Sequence, residues 1–452
     1  MPKTKIPILC GDIGGIKSRL FLLKINSNPK SHHEIIDNTY HFSFGFKNVA
    51  ELLTQYLEKY INTPNYPKYA VFSVPGPVQN NSIIQFTNVP HWPPVNGNEL
   101  AEKLQINKLI FLNDFVANGY GIQTNLRLGI DYRIVNDKEI EENGPKCILG
   151  PGTGFGIGYL TKTEEDKYYL VNGAEGSHSD FAPINSLQFK YKQYLARYYN
   201  IDHVSTERAI CGQSIIPIYK FLSGQIRVNY DTALYDQVRV FQGTQNSDTQ
   251  FQINKLIVQK GVRKECKLCE KTIEFFVELF GQASGNAGLM YLPTGGMYLL
   301  GGLSDKFQDL IVESEIWKKA FFDKGRLSEV LESLPVFLVK DIDLNMIGCI
   351  EYCRRLIEES LEKSESEKML CAVNFGIGKK CIDGLPLFIK HRDSKMKDEQ
   401  SVAVNVNSLE EFVSLVNQLG RSVDIDTSNF LRFTADGQAP ELTVSVNDGT
   451  WY

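Results

Sequence analysis

The chain has 452 residues, and length alone sets an expectation of roughly two to three domains. Its 42% hydrophobic and 22% charged content is that of an ordinary globular protein, and a formal net charge of -5 without a Lys/Arg-rich arm argues against a nucleic-acid partner. The N-terminus has no apolar stretch of signal-peptide length and no window approaches the roughly 20 apolar residues of a membrane span, so a cytoplasmic protein without a membrane partner is expected.

In chain order, Ile6 to Cys10 is an apolar run, Gly11 to Lys17 is a glycine-rich turn, and Arg19 to Ile25 returns, which predicts a hairpin. Val49 to Tyr60 places Leu52, Leu53, Tyr56, Leu57 and Tyr60 at helical spacing, and Tyr69 to Val74 reads as a buried strand. Another strand, Leu109 to Leu112, ends at Asn113-Asp114. A second unit restarts at Cys147 to Leu149 and runs through the turn Gly150-Pro151-Gly152-Thr153-Gly154-Phe155-Gly156 into Ile157 to Leu160. Ser186 to Tyr199 and Glu270 to Tyr291 are helical stretches, Met297 to Leu300 is an apolar strand ahead of Gly301-Gly302, and Leu344 to Leu361 is a further helix. Strands alternating with helices imply an α/β architecture.

The two glycine turns are the most informative features. Glycine lets backbone N–H groups approach an oxyanion with no Cβ in the way, so two such loops from distant parts of the chain suit the phosphates of one nucleotide. The expected organisation is a small α/β domain over 1–118, a large one over 119–343 and a helix over 344–362 packing back on the first. A charged linker at 363–368 and a small α+β extension of unassigned role at 369–452 follow. In that extension 401–406 reads as a strand, 409–419 as a helix with Ser408 and Glu411 as capping box, 442–446 as a last strand, and Gly376 to Lys380 as a turn. The nine cysteines lack a disulfide framework and read as reduced thiols. The Cys266-x-x-Cys269 pair has no second pair to complete a zinc site.

An ordered set of motifs carries a resemblance. Asp12-Ile-Gly14-Gly15, Leu112-Asn113-Asp114-Phe115, Gly152-Thr153-Gly154-Phe-Gly156, Glu175-Gly-Ser-His178, Glu207-Arg208-Ala-Ile-Cys-Gly212 and Gly295-Gly-Met-Tyr-Leu-Leu-Gly301-Gly302 together resemble the bacterial-type glucokinase family, over essentially residues 6 to 362. The resemblance implies the actin-like ATPase (RNase H-like) fold, two α/β domains closing on a central cleft. It also implies phosphorylation of D-glucose to D-glucose 6-phosphate by ATP and Mg²⁺, the first step of glycolysis.

Carried over residue by residue, the resemblance makes Asp114 the general base that accepts the proton of the sugar hydroxyl. From the local sequence alone Asp114 reads equally as a cap on the next helix. Asn88, Asn113, Asp114, Glu175, His178 and Glu207 match positions that contact glucose, and such side chains supply the directional donors and acceptors a polyol needs. Glu175 and His178 also have a metal-ligand spacing, but Gly173 and Gly176 disfavour a helix there. Asp12 faces the phosphates and acts on Mg²⁺ indirectly, with Gly14, Gly15, Ile16 and Lys17 completing that loop. The family carries threonine where this chain has Ile16, so one hydroxyl contact to phosphate is missing, and ATP, ADP and polyphosphate all remain as donors. Gly152, Thr153, Gly154 and Gly156 hold the distal phosphates, and Gly301 and Gly302 lie against adenosine. Two alternatives stand beside this reading: a kinase of another hexose such as mannose or glucosamine, and a non-catalytic sugar-sensing regulator. Oligomeric state is left open, a homo-oligomer included.

Overall fold

The first apolar run and its return form an antiparallel pair, β1 (Ile6–Ile13) and β2 (Lys17–Ile25), with Asp12 opposite Arg19 and Ile13 opposite Ser18. The structure is a computed structural model and describes residues 5–15, 17–25, 33–83, 86, 91–241, 247–340 and 342–374, together with strands 386–391, 400–405, 423–425, 444–446 and 449–451. The chain divides into two compact units, 1–354 and 355–452.

In the first unit, β3 (Glu34–Phe42) extends the hairpin, and β4 (Tyr69–Val74) and β5 (Lys108–Asn113) add to its other side in parallel, giving the order β3-β2-β1-β4-β5. Central β1 and β4 are buried almost throughout and read as continuous apolar runs. Edge strand β3 carries no buried residue. Helix α1 (Val49–Glu58) is capped by Asn48, whose side chain accepts from the Glu51 N–H at 2.8 Å. It buries Leu52, Leu53, Tyr56 and Leu57 in the core around Leu9, Leu22, Phe72 and Phe111. Helix α2 (Asp114–Gly121) starts where β5 stops.

The same plan then repeats. The strands β6 (Tyr132–Asn136), β7 (Lys146–Pro151), β8 (Phe155–Thr161), β9 (Leu170–Ala174), β10 (Met297–Leu299) and β11 (Val336–Val339) form a sheet ordered β9-β8-β7-β10-β11-β6. Here too the glycine turn joins the first two strands of an antiparallel meander, and two parallel strands follow on the far side of β7. Helices α3 (Ser186–Tyr199), α4 (Thr206–Ala209), α5 (Ser247–Val262) and α6 (Lys267–Tyr291) build the larger core, in which Tyr191, Tyr219, Phe276, Phe280 and Trp317 are buried. Cys266 caps α6, its sulfur accepting from the Cys269 N–H at 3.4 Å, which gives the Cys-x-x-Cys pair a structural role. The seven cysteines with described side chains are all buried and unpaired by disulfides. Two repeats of this plan make the actin-like ATPase fold that the resemblance implied.

Helix α8 (Leu344–Asn374) returns to the first sheet. Gly348 crosses α2 so closely that a Cβ there would lie 1.7 Å from the Ala117 carbonyl oxygen. Cys353 reaches Cys10 at 3.9 Å between sulfurs. Residues 363–368, expected as a charged linker, lie inside this helix. Lys and Glu are strong helix formers, and a charged run without Gly or Pro extends a helix as readily as it forms a tether.

The second unit contains strands Pro386–His391, Gln400–Asn405, Val423–Ile425, Val444–Val446 and Gly449–Trp451 in one antiparallel sheet. The helix expected at 409–419 and the turn at 376–380 lie outside the described residues. Among the described residues no helix is long and apolar enough to cross a membrane.

Candidate active site

Asp114 is the first residue of α2, at the C-terminal end of a parallel strand, where α/β sheets open their clefts. The cap is its neighbour: the Asn113 side-chain oxygen accepts from the N–H of Phe115 at 2.9 Å and of Val116 at 3.4 Å, and its amide nitrogen donates to the Gly76 carbonyl at 3.1 Å. Asn113 is thereby committed to the backbone. Asp114 accepts from the Phe115 N–H at 2.9 Å and has its carboxyl pushed up to about 6. Burial is the main cause; the charges of Asp12 and Glu175 add to it, and the Phe115 N–H opposes it. Three carboxylates from β1, the head of α2 and the turn after β9 therefore share one electrostatic environment.

Asp12 sits near the end of β1, and burial raises its pKa as well. The polar side chains of Asn345 and Ser73 and the charge of Arg19 work the other way. Arg19 is itself held by Asp343, just ahead of α8, through a 2.5 Å ion pair. The hairpin tip is clipped from the side. The buried Ser43 hydroxyl donates to the Gly14 carbonyl at 2.6 Å and lies 2.9 Å from the buried Ser18 hydroxyl. Lys17 begins β2 with its ammonium 5.5 Å from the centre of the Phe42 ring. Ile16 and Asn88 lie outside the described residues.

In the second glycine turn the glycines have different tasks. A Cβ on Gly156 would lie 1.9 Å from the Phe115 ring, so this glycine is the seat on which the head of α2 rests. A Cβ on Gly154 would lie 2.6 Å from a Glu207 carboxylate oxygen, and that oxygen accepts from the Phe155 N–H at 2.9 Å. Gly152 faces open space. Its N–H donates to the Gly154 carbonyl and its own carbonyl accepts from the Gly212 N–H, both at 2.8 Å. Among the described residues the Thr153 and Gly154 N–H groups have no acceptor, and the Thr153 side chain is exposed. Gly301, at φ +92°, passes so near Pro151 that a Cβ would meet its carbonyl at 2.6 Å, and Gly302 opens α7 (Gly302–Lys306) directly behind it.

Glu175 precedes the 3-10 turn Gly176–His178, and the two side chains lie 3.6 Å apart, both exposed to solvent. The turn is tied to α4 by the Thr206 N–H donating to the Ser179 carbonyl at 2.8 Å and the Phe181 N–H to Val204 at 2.9 Å. Glu207, on α4, thus stands between this turn and the second glycine loop. Glu175 and His178 have no third ligand beside them: among the described residues no three His, Cys, Asp or Glu side chains cluster as a metal site.

Sequence reasoning missed Asn345, Ser43, Ser18, Phe115 and Asn254, whose side-chain nitrogen donates to the Gly212 carbonyl at 2.9 Å. Phe115 had a signal in its place beside Asp114. Ser18 lies in the first hairpin but carries no local signal of its contact with Ser43, and Ser43, Asn254 and Asn345 act through space from distant parts of the chain.

A family model described as Glucokinase matches residues 9–356. The glucokinase of Trichormus variabilis is 34% identical over 357 residues, covering 77% of this chain and 99% of that protein. A crystal structure of a glucokinase from an Antarctic psychrotroph aligns with TM-score 0.59 at 26% identity, over 76% of this chain and 98% of that one. A glucokinase from Balamuthia mandrillaris, solved in complex with glucose, shares the fold at TM-score 0.59 and 17% identity, over 78% and 94% of the two chains.

Proposed function

The chain belongs to the glucokinase family, and from that premise we propose that it transfers the terminal phosphoryl group of ATP to the 6-hydroxyl of D-glucose. The observation that carries the mechanism is the carboxyl of Asp114, recessed at the head of α2 and raised to about 6 by burial and by the charges of Asp12 and Glu175. At pH 7 and above it is still ionised, and it is a stronger base than an ordinary carboxylate. It accepts the hydroxyl proton as the new O–P bond forms, while the protein otherwise supplies position and charge compensation.

Glu175, His178 and Glu207 hold the sugar hydroxyls, with Asn88 completing that set; Asn113, whose oxygen caps α2 and whose amide nitrogen already donates once to Gly76, has a single N–H left to offer. A pocket that pairs each hydroxyl rejects a sugar with one inverted or missing, because a buried polar group is then left unpaired. The free N–H groups of Thr153 and Gly154 receive phosphate oxygens, the Gly14 to Lys17 loop covers them from the first sheet, and the turn at Gly301 and Gly302 lies against adenosine. The family implies Mg²⁺, and Asp12, a hard oxygen donor that belongs to no ligand cluster among the described residues, fits an ion held mainly by phosphates and water. When bound, it offsets the charge that develops on the phosphates. The reading carries with it a cytoplasmic location. Neither another hexose nor a non-catalytic sensor role draws support from the relatives named above.

The test is coupled detection of glucose 6-phosphate from ATP, Mg²⁺ and glucose, beside Asp114→Asn and with mannose, glucosamine and fructose as controls. Turnover with glucose that collapses in a folded Asp114→Asn protein supports the proposal. Absence of turnover with glucose in the wild type overturns it.

A further inference from the structure

Asn254 lies on α5, outside every motif that points to the site. Its side-chain nitrogen donates to the Gly212 carbonyl at 2.9 Å, and the Gly212 N–H donates to the Gly152 carbonyl at 2.8 Å. Both polar groups of Gly212 are therefore fixed, one from behind by Asn254 and one in front on the second glycine loop. The fit is tight: a Cβ on Gly212 would lie 2.8 Å from the Gly152 oxygen and 3.8 Å from the Thr153 Cα.

The other half of the Asn254 amide is informative. Its oxygen is buried and has no hydrogen-bond partner among the described residues. A buried acceptor without a donor costs stability, so the amide is a poor choice for packing alone. The donor half is the part that does something, and its target is one residue removed from the phosphate loop.

Resting on the functional reading above, we propose that Asn254 is a positioning residue for the second phosphate loop, acting through Gly212 on the peptide groups of Gly152 and Thr153. It holds the Thr153 and Gly154 N–H groups in the direction from which a nucleotide phosphate approaches. The sugar turn at Glu175–His178 is anchored separately, through the Ser179 and Val204 carbonyls, and meets the loop only at its far end, where Glu207 accepts from the Phe155 N–H. The role thus concerns the nucleotide first, since the Gly212 contact falls on Gly152 and Glu207 meets the loop beyond Gly154.

The experiment compares full-length wild type with Asn254→Leu, which removes donor and orphan acceptor together, and Asn254→Asp, which keeps the shape and turns an oxygen toward the Gly212 carbonyl. Steady-state kinetics with glucose and ATP, thermal melting, and calorimetric titration with ATP are read on each. The expected result is a KM for ATP raised about fivefold to tenfold in both variants, the size of one lost hydrogen bond. KM for glucose stays unchanged, and Asn254→Leu, which trades the orphan Asn254 oxygen for an unpaired Gly212 carbonyl, melts close to wild type. An unchanged KM for ATP in either variant overturns the proposal, as does a parallel rise of both KM values with a lower melting temperature. Should Asn254→Leu fail to fold, Asn254→Asp alone decides by the same criteria. A wild type inactive on glucose would sink the functional reading instead, and ATP calorimetry would still decide the role of Asn254.

Discussion

The two glycine hairpins occupy equivalent places in two copies of one sheet plan, yet they are held by different forces. The first is gripped by side-chain hydroxyls: Ser43 bonds the Gly14 carbonyl and meets Ser18, and both serines are fully buried. The second is gripped by shape and backbone, with Phe115 seated on Gly156, Glu207 on the Phe155 N–H, Gly212 on the Gly152 carbonyl and Gly301 against Pro151. They also give Asp114 different things. From the first comes the negative charge of Asp12, which raises its pKa; from the second comes the steric seat that fixes the head of its helix. A shared local motif therefore says little about what anchors it, and the anchors determine what each loop contributes.

The largest effect is expected at the residue on which both hairpins converge. Asp114→Asn should lower kcat by about 10³-fold, within the range for loss of a general base. The same change should stabilise the fold. Because the folded pKa is raised above the ordinary carboxylate value, the ionised form is disfavoured in the native state. That cost sets in as pH rises from about 4 and is complete above about 6. Asn should therefore add up to about 3 kcal/mol at pH 7.5 and little at pH 4. Denaturant unfolding at the two pH values checks this, and equal gains at both would refute the electrostatic explanation.

The steric half of the comparison breaks at Gly156 and leaves Gly152 as its control. Gly156→Ala drives a methyl into the Phe115 ring and should destabilise by about 3 kcal/mol or more while displacing Asp114. Gly152→Ala enters open space without a left-handed φ, so its stability should stay within about 0.5 kcal/mol of wild type. Its methyl stands where a phosphate would approach, and KM for ATP should rise about tenfold. Melting curves and ATP kinetics on the pair separate seat from ligand surface. A destabilised Gly152→Ala would mean that the whole turn is packing.

The glycine spacing, the flanking apolar runs and the bounds of Tyr69–Val74 and Ser186–Tyr199 were legible in the sequence, because strand and helix periods are local. So was the adjacency of Asp114 to a helix head. What could not be read was the division of labour within the second loop, since Gly152, Gly154 and Gly156 are identical as letters and differ only in what lies above each one. Ser43 is 29 residues from Gly14, and Asn254 is 42 from Gly212. No period links such pairs. At 363–368 the run of charge points to a linker, although its Lys and Glu residues equally favour the helix that forms.

The hydroxyl clip should give a smaller effect than the steric seat. Ser43→Ala leaves the Gly14 carbonyl and the Ser18 hydroxyl short of a partner in a dry site, which costs about 1–2 kcal/mol. KM for ATP should rise about threefold while KM for glucose holds, because only the first loop is released. If Ser43→Ala matched Gly156→Ala in stability and kcat, the distinction between polar clip and steric seat would be lost.

The finest test reads the charge that the first hairpin sends to Asp114. In the wild type kcat/KM for glucose, at saturating ATP, should rise with pH through about 6 with unit slope, because only the ionised carboxyl accepts the proton. Asp12→Asn removes a like charge from its surroundings, and a carboxyl relieved of a neighbouring anion ionises more easily. The acid limb should therefore move to lower pH, by less than about one unit because burial remains the main cause. Asp12→Asn will also lower the plateau, so the position of the limb is the informative quantity. A limb that stays in place would mean that Asp12 does not act on Asp114 along the edge of the first sheet, and the first hairpin would then serve the nucleotide alone.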